Sequence, residues 1–255
     1  SRPLGYFEEI FVNSGYNVIT IAHTKGHQFK NEILNKAIHK TIDLHPNLRI
    51  NCDADMKEWK SIPNCYIDAE IIEIDDEEAW KEIAKIKSNE PFVHSLEKTL
   101  FEFTIIKNNT NAHLMFKYHH AIGDGISGMI LINTFLNFYS QLYNGIDEHI
   151  HSLPFLPDCE TLSFPNGLKD YEREEILKIK KSLELYHRNV THITPYYPMK
   201  HIVNSPMFRD GTEENFNKVK AFCKLHGITI GSIIVASIYF AIAKQHDWTN
   251  CKELT

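Results

Sequence analysis

The sequence has no cysteine pair spaced CxxC, although it carries five cysteines, at positions 52, 65, 159, 223 and 251. The count is odd and the spacings are wide. That leaves no zinc ribbon, redox pair or disulfide framework, and reduced thiols in a cytoplasmic protein are the expectation. No HExxH or other ligand spacing is present, so no metal is expected. There is no basic cluster either. Lys and Arg total 27 against 33 Asp and Glu, and the formal net charge of −6 argues against a nucleic-acid surface. One anionic small ligand stays possible, because it needs only local basic groups. No apolar run is long enough to span a bilayer. The most apolar stretch, Ile228 to Ala243, is interrupted by Ser232 and Ser237 and reads as a buried helix. Ser1-Arg2-Pro3-Leu4-Gly5-Tyr6 lacks the apolar core of a signal peptide. Repeats and low-complexity tracts are absent too.

A chain of 255 residues can bury a substantial core without a disulfide or metal staple. Asn17 to Thr24 reads as a strand, with β-branched residues in short alternation. Phe29, Ile33, Leu34, Ala37, Ile38, Thr41 and Ile42 recur at helical spacing, which predicts a helix over Phe29 to Leu44 that Pro46 ends. Leu48 to Cys52 and Ile67 to Ile74 read as short strands. Asp75-Asp76-Glu77-Glu78 reads as the acidic first turn of a helix running to about Lys87. Leu100 to Ile106 and Ala112 to His119, joined by Lys107-Asn108-Asn109-Thr110-Asn111, predict an antiparallel hairpin. A long helix follows, from about Asp124 to Tyr143. Prolines 154, 157 and 165 then break the periodicity. Lys169 to His187 reads as a charged helix and Thr194 to Gly211 as irregular. Thr212 to His226 reads as a helix closed by Gly227, and Thr229 caps the apolar helix after it. Helices mixed with hairpin strands predict an α/β layered domain with a mixed sheet.

The segment with chemical promise is His119-His120-Ala121-Ile122-Gly123-Asp124-Gly125. Side chains alternate along a strand, so Leu114, Phe116, Tyr118 and His120 share one face and Met115, Lys117 and His119 the other. On the more apolar face His120 is partly desolvated, which favours the neutral, basic form that a general base needs. Taken alone, His120 reads first as a core histidine satisfied by the backbone, and Asp124 as the N-cap of the next helix. A second reading comes from Gly123, Gly125 and Gly128, which spell GxGxxG after a strand and at the start of a helix, as in a nucleotide-binding dehydrogenase. That fingerprint expects a parallel strand after the helix. Here Asn144-Gly145-Ile146-Asp147-Glu148-His149 follows, and it is not a strand. Adjacent strand residues point to opposite faces, so His119 and His120 do not share a metal.

His-His-x-x-x-Asp-Gly resembles the signature of the chloramphenicol-acetyltransferase-like superfamily. Its members include alcohol acetyltransferases, wax ester synthases, polyketide-associated acyltransferases and condensation domains. The longer run His119 to Gly128 is similar to acyl-CoA:alcohol O-acyltransferases. Arg2-Pro3-Leu4-Gly5 with Glu8, His45-Pro46-Asn47-Leu48-Arg49, Asn89-Glu90-Pro91-Phe92, Leu100-Phe101-Glu102-Phe103 and Thr229 to Ala243 resemble other segments of that family, in family order.

The resemblance implies a mixed-sheet two-layer sandwich, with residues 1–145 as the N-terminal half, 146–211 as a linker or crossover, and 212–255 as the start of a second half. It implies His120 as general base, taking a proton from a small alcohol or amine acceptor that attacks an acyl thioester. The co-substrate is acyl-CoA or a carrier-protein thioester, with no permanently bound cofactor. It implies a structural Asp124 paired with Arg49, a structural His119, and a Gly125 that leaves room for the substrate channel. Family members are roughly twice this length, and the Asp-Phe-Gly-Trp-type motif of their second half is absent here. A lone half exposes an apolar face, so association with a second half or with another copy is expected. A catalytically silent half-domain that binds acyl groups or a partner is the alternative from another class.

Overall fold

This computed structural model describes residues 1–26, 29–52, 55, 57–62, 65–167, 169–172, 174–175, 177–178, 181, 206, 208 and 211–246. The charged helix expected over Lys169 to His187, the irregular stretch Thr194 to Gly211 and the chain's end fall largely outside those residues. The chain divides into two compact units.

The first unit, residues 1–167, is built around a four-stranded mixed sheet in the order β2 (Asn17–Lys25), β7 (Asn111–His119), β6 (Phe101–Lys107), β5 (Glu70–Glu73). β7 runs antiparallel to both neighbours, and β5 runs parallel to β6. The mixed sheet and its central hairpin are as the sequence predicts. β1 (Arg2–Pro3), β4 (Glu58–Ser61) and β3 (Ile50–Asn51) form a second, small sheet. The helices of this unit are α1 (Tyr6–Ser14), α2 (Asn31–Leu44), α3 (Trp80–Asn89), α4 (Gly125–Tyr143) and the short α5 (Cys159–Ser163).

Ala112 to His119 of β7 are all buried, so this strand is covered on both faces. Alternation sends Phe116 and Tyr118 toward α4. Phe116 packs 4.4 Å from Phe103 and 5.8 Å from Phe135 of α4, between ring centroids. His113, Met115, Lys117 and His119 face the other way, where His113 stacks on Trp80 of α3. Lys117 is buried there. It is held by Glu102 at 3.3 Å and Glu90 at 3.8 Å, with its ammonium 4.5 Å from the Phe92 ring centroid. A buried cation without such partners would cost several kcal/mol. The network therefore seats the 90–92 segment against the sheet.

Four elements differ from the sequence expectation. Asp75 to Glu78 precede α3 as turn residues instead of forming its first turn. Leu48 and Arg49 belong to a 3-10 turn, Pro46–Arg49, and only Ile50–Asn51 is strand. β4 is an added strand. α1 is an added helix, and its signals were local: Glu8 accepts the Gly5 N–H at 2.7 Å and takes both guanidinium arms of Arg2, and Gly15 closes the helix at φ 68°. Residues 153–156 lie on this unit through Leu153 N–H to the Leu44 carbonyl and Arg2 to the Leu156 carbonyl.

The second unit contains α6 (Glu213–His226) and α7 (Ile230–His246). Thr212 caps α6 and Gly227 ends it in the left-handed region; Thr229 Oγ1 accepts the Ser232 N–H at the start of α7, as the sequence predicts. The apolar stretch Ile228 to Ala243, expected as a buried helix, is helical from Ile230 but not buried: Ile234, Val235, Ile238 and Phe240 of α7 are exposed. Among the described residues no single helix is long and apolar enough to cross a membrane.

α4 can lie this close to the sheet only because residue 128 is glycine. A Cβ there would sit 2.0 Å from Thr20 Oγ1 and 2.4 Å from the Tyr118 hydroxyl. Gly128→Ala is expected to lose about 1–3 kcal/mol by overpacking. Denaturant unfolding of the chain checks this, and an unchanged midpoint would refute it.

Candidate active site

β7 ends at His119, as the strand boundary was read, and His120, which the alternation counted as a further strand residue, stands in the turn that follows. The two histidines then have different surroundings. His119 is 1% exposed, whereas His120 is half-buried. The strongly desolvated histidine is thus His119, whose burial the alternation did not indicate, while His120 in the turn is partly buried.

His119 Nδ1 accepts the Ala121 N–H at 3.2 Å and so closes the turn after the strand. Its Nε2 is buried and has no hydrogen-bond partner. The ring packs edge-on to His94 at 5.1 Å and to Phe92 at 6.3 Å. Burial first, then the neighbouring His94 and His120, push its pKa down to about 4. His119 is therefore neutral at ordinary pH.

His120 donates its backbone N–H to the Tyr16 carbonyl at 2.8 Å. Its ring lies flat on Phe11 of α1, with centroids 4.2 Å apart and planes at 8°. Nδ1 is buried without a partner. Nε2 is not among the buried unpartnered atoms and takes part in no hydrogen bond among the described residues. An imidazole so held has a fixed plane and one nitrogen free to meet a ligand.

Asp124 is the N-cap of α4. Its Oδ1 accepts the Ser127 N–H at 2.9 Å and the Ser127 hydroxyl at 2.7 Å, while Ser127 Oγ accepts the Asp124 N–H at 3.1 Å. The Ser127 backbone bond, then its hydroxyl, hold the carboxyl below the usual range. The expected Asp124–Arg49 ion pair does not form. Arg49, at the end of the 3-10 turn, sends Nη2 to the Asp43 carbonyl at 3.3 Å and Ser152 Oγ at 2.8 Å, and the Asp124 carboxylate is taken up by its own helix. Gly125 faces open space, since a Cβ there would meet nothing within 4 Å.

The loop between them is tied down twice. The Tyr118 hydroxyl donates to the Asp124 carbonyl at 2.6 Å, and Asn47 Nδ2 donates to the Ile122 carbonyl at 3.3 Å. Beside it lies a mainly apolar cleft of about 410 Å³, walled by Leu48, Ile122, Ile130, Leu131, Leu153 and Leu156. The sequence reading missed Phe11, Tyr16 and Asn47, because each reaches the motif from a distant segment. No cluster of metal-ligating side chains occurs among the described residues. The GxGxxG reading does not fit: Gly128 is packed against Thr20 and Tyr118 instead of facing a ligand, and among the described residues no strand of the sheet follows α4.

A family model described as Condensation domain matches residues 6–157. The chain belongs to the condensation-domain family. This condensation-domain chain resembles the starter condensation domain of rhizomide synthetase (15% identity, TM-score 0.51), covering 58% of this chain and 39% of that one. It also resembles polyketide synthase associated protein 5 from Mycobacterium tuberculosis (19%, 0.51; 68% and 41%). A third likeness is to the complex of the X-domain and OxyB from teicoplanin biosynthesis (12%, 0.52; 59% and 35%). At these identities the likeness is one of fold. The condensation-domain chain spans about two fifths of the structures it matches. No curated protein matches it.

Two measurements test the site. A double-mutant cycle of Asp124→Ala and Arg49→Ala is expected to give a coupling below about 0.5 kcal/mol, with Asp124→Ala alone costing about 0.5–2 kcal/mol as a lost cap; a larger coupling would restore the ion pair. His119 binds its proton more weakly folded than unfolded. Its contribution to stability is therefore complete above pH 6.5 and is lost as pH falls from 6.5 toward about 4. His45, His94 and His113 are shifted down as well. The readout is thus a difference: His119→Gln should remove a loss on the order of 3 kcal/mol from that pH window. Parallel stability curves for variant and parent would contradict this.

Proposed function

We propose that this chain carries the catalytic-base half of an acyltransferase that moves an acyl group from a thioester to an alcohol or amine. The observation that carries the reading is His120. It sits at the end of the central strand of a condensation-domain fold, with its ring clamped on Phe11 and Nε2 unengaged. The acceptor's O–H or N–H gives its proton to Nε2 as the acceptor attacks the thioester carbonyl. The tetrahedral intermediate then collapses, the C–S bond breaks, and the leaving thiolate takes the proton from the imidazolium. General-base action of this kind is typically worth about 10²–10⁴-fold. His119 and Asp124 shape the loop and do not touch the reacting atoms. The open side of Gly125 leaves space for the ligand's approach, and the apolar cleft beside Ile122 suits an aliphatic group.

The donor is acyl-CoA or a carrier-protein thioester. A rhizomide synthetase starter condensation-domain variant is described in complex with C8-CoA (17% identity, TM-score 0.50, 57% of this chain and 37% of that one), which supports a CoA thioester as the first donor to try. The acceptor end is of the O-acyltransferase kind on the strength of the His119–Gly128 run. The proposed domain plan is residues 1–145 as the N-terminal acyltransferase half, 146–211 as a crossover, and 212–255 as the beginning of a second half. Because the chain spans two fifths of its structural relatives, a silent acyl-binding half-domain is the second reading.

Acceptor-dependent CoA release, followed over acetyl- to palmitoyl-CoA with alcohol and amine acceptors, is expected to fall at least about 10²-fold in His120→Ala. Undiminished turnover in a folded His120→Ala variant refutes the base assignment. Saturable acyl-CoA binding without turnover in either protein would favour the silent half-domain.

A further inference from the structure

α4 ends at Tyr143, and Gly145, at φ 77°, turns the chain back over the first unit. Residues 147–156 then run across that unit as a strap, without helix or strand of their own. Pro154 has no N–H to give to a ladder, which suits such an extended path. The strap is fastened in three places. First, Asp147 sits between Lys36 and Lys40, one turn apart on α2, at 2.9 Å from Lys40, and the Lys40 ammonium also donates to the Glu148 carbonyl. Second, Arg49 Nη2 donates to Ser152 Oγ at 2.8 Å, and the Leu153 N–H donates at 2.9 Å to the carbonyl of Leu44. Leu44 is the last residue of α2, where a carbonyl finds no partner inside its own helix. Third, Arg2 Nε donates to the Leu156 carbonyl at 3.1 Å, and its guanidinium lies 4.8 Å from the Phe155 ring centroid. Exposed ion pairs are individually weak, but Phe155 also packs against the core, and Arg2 is itself fixed by both carboxylate oxygens of Glu8.

The second and third fastenings bracket Leu153 and Leu156. These two side chains line the apolar cleft opposite Ile122 of the motif loop and Ile130 and Leu131 of α4. The loop and α4 are thus its inner wall and the strap is its outer wall. Ile122 stands two residues after His120, so the cleft opens beside the turn that carries the base. Its volume of about 410 Å³ exceeds what an acetyl group fills. Leu153 and Leu156 are 48% and 55% exposed, so both have apolar surface left for a ligand to cover. We infer that the strap sets acyl-chain selectivity: Leu153 and Leu156 close over the aliphatic chain of the thioester, and Arg49 and Arg2 hold them in place. This rests on the proposed acyl transfer for the identity of the ligand, but the selectivity can be read from binding alone. It also gives Arg49 a task in the site other than pairing with Asp124.

The test measures binding of two CoA thioethers, S-ethyl-CoA and S-octyl-CoA, to the full chain. Lacking the thioester carbonyl, they bind without transfer. Each methylene buried in an apolar site is worth about fourfold in affinity. S-octyl-CoA is therefore expected to bind at least about 10-fold more tightly than S-ethyl-CoA, even with the cleft partly open. It should also slow amide exchange over residues 147–156, which S-ethyl-CoA leaves unprotected. Leu153→Ser combined with Leu156→Ser keeps the backbone bonds of the strap and is expected to cancel most of the preference, weakening S-octyl-CoA more than S-ethyl-CoA. A merely structural role would weaken both alike. Arg49→Ala is expected to speed exchange in the strap and to lower the preference in the same direction. No binding of either thioether, equal affinities in the parent, or a preference that survives the double substitution overturns the inference. Should the double variant not fold, Leu156→Ser alone must lower the ratio of affinities, and an unchanged ratio overturns it. If the preference behaves as expected while the parent shows no transfer, or His120→Ala retains it, the base reading fails and the strap reading stands.

Discussion

The close approach of α4 to β2 and β7 at Gly128 is the constraint on which the site depends. Only a hydrogen at that position lets the helix settle against Thr20 and Tyr118. Once it has settled, the Tyr118 hydroxyl reaches the Asp124 carbonyl, and Asp124 caps the same helix through Ser127. The five residues from His120 to Asp124 must then bridge a fixed gap between strand end and helix start. His119 Nδ1 on Ala121 and Asn47 on Ile122 take up the remaining backbone freedom. The motif loop is held by hydrogen bonds to its own backbone in which His119 takes part, Asp124 caps the helix that follows, and His120 Nε2 is left for other uses.

The two histidines divide the work by burial. His119 gives up solvent, protonation and access in return for a place in the core, and its unpartnered Nε2 costs stability on the order of 1–3 kcal/mol. His120 keeps one nitrogen open and obtains its orientation from an aromatic face, which holds the ring plane without blocking the edge. The Lys117, Glu90 and Glu102 network performs a parallel service on the same face of the sheet, anchoring the segment that leads to Phe92 and His94.

The sequence announced what is local. The hairpin of β6 and β7 follows from its Asn-rich turn and apolar strands, the extent of α2 and α4 from helical spacing, and the Asp124 and Thr212 caps from residue type. The expected Asp124–Arg49 pair rested on the resemblance, and a shared motif does not fix the distance between two side chains. Ser127, three residues away, reached the carboxylate first. The full burial of His119 was not legible either, because alternation marks the faces of a strand and not what covers them. Phe11, Tyr16 and Asn47 could not be read at all, because they meet the motif across 75 to more than 100 positions of chain. The small sheet was half visible: β3 was expected, but β4 has four residues with Trp59 alone fully buried, too short a pattern to stand out.

Carbethoxylation of histidine followed by peptide mapping tests the central claim most directly, because the reagent attacks an accessible, unprotonated imidazole nitrogen. The account predicts that loss of acyl transfer tracks modification of His120, that bound acyl-CoA slows that modification, and that His119 stays unmodified until the chain unfolds. Modification of His119 in the folded protein, or loss of activity with His120 intact, would contradict it.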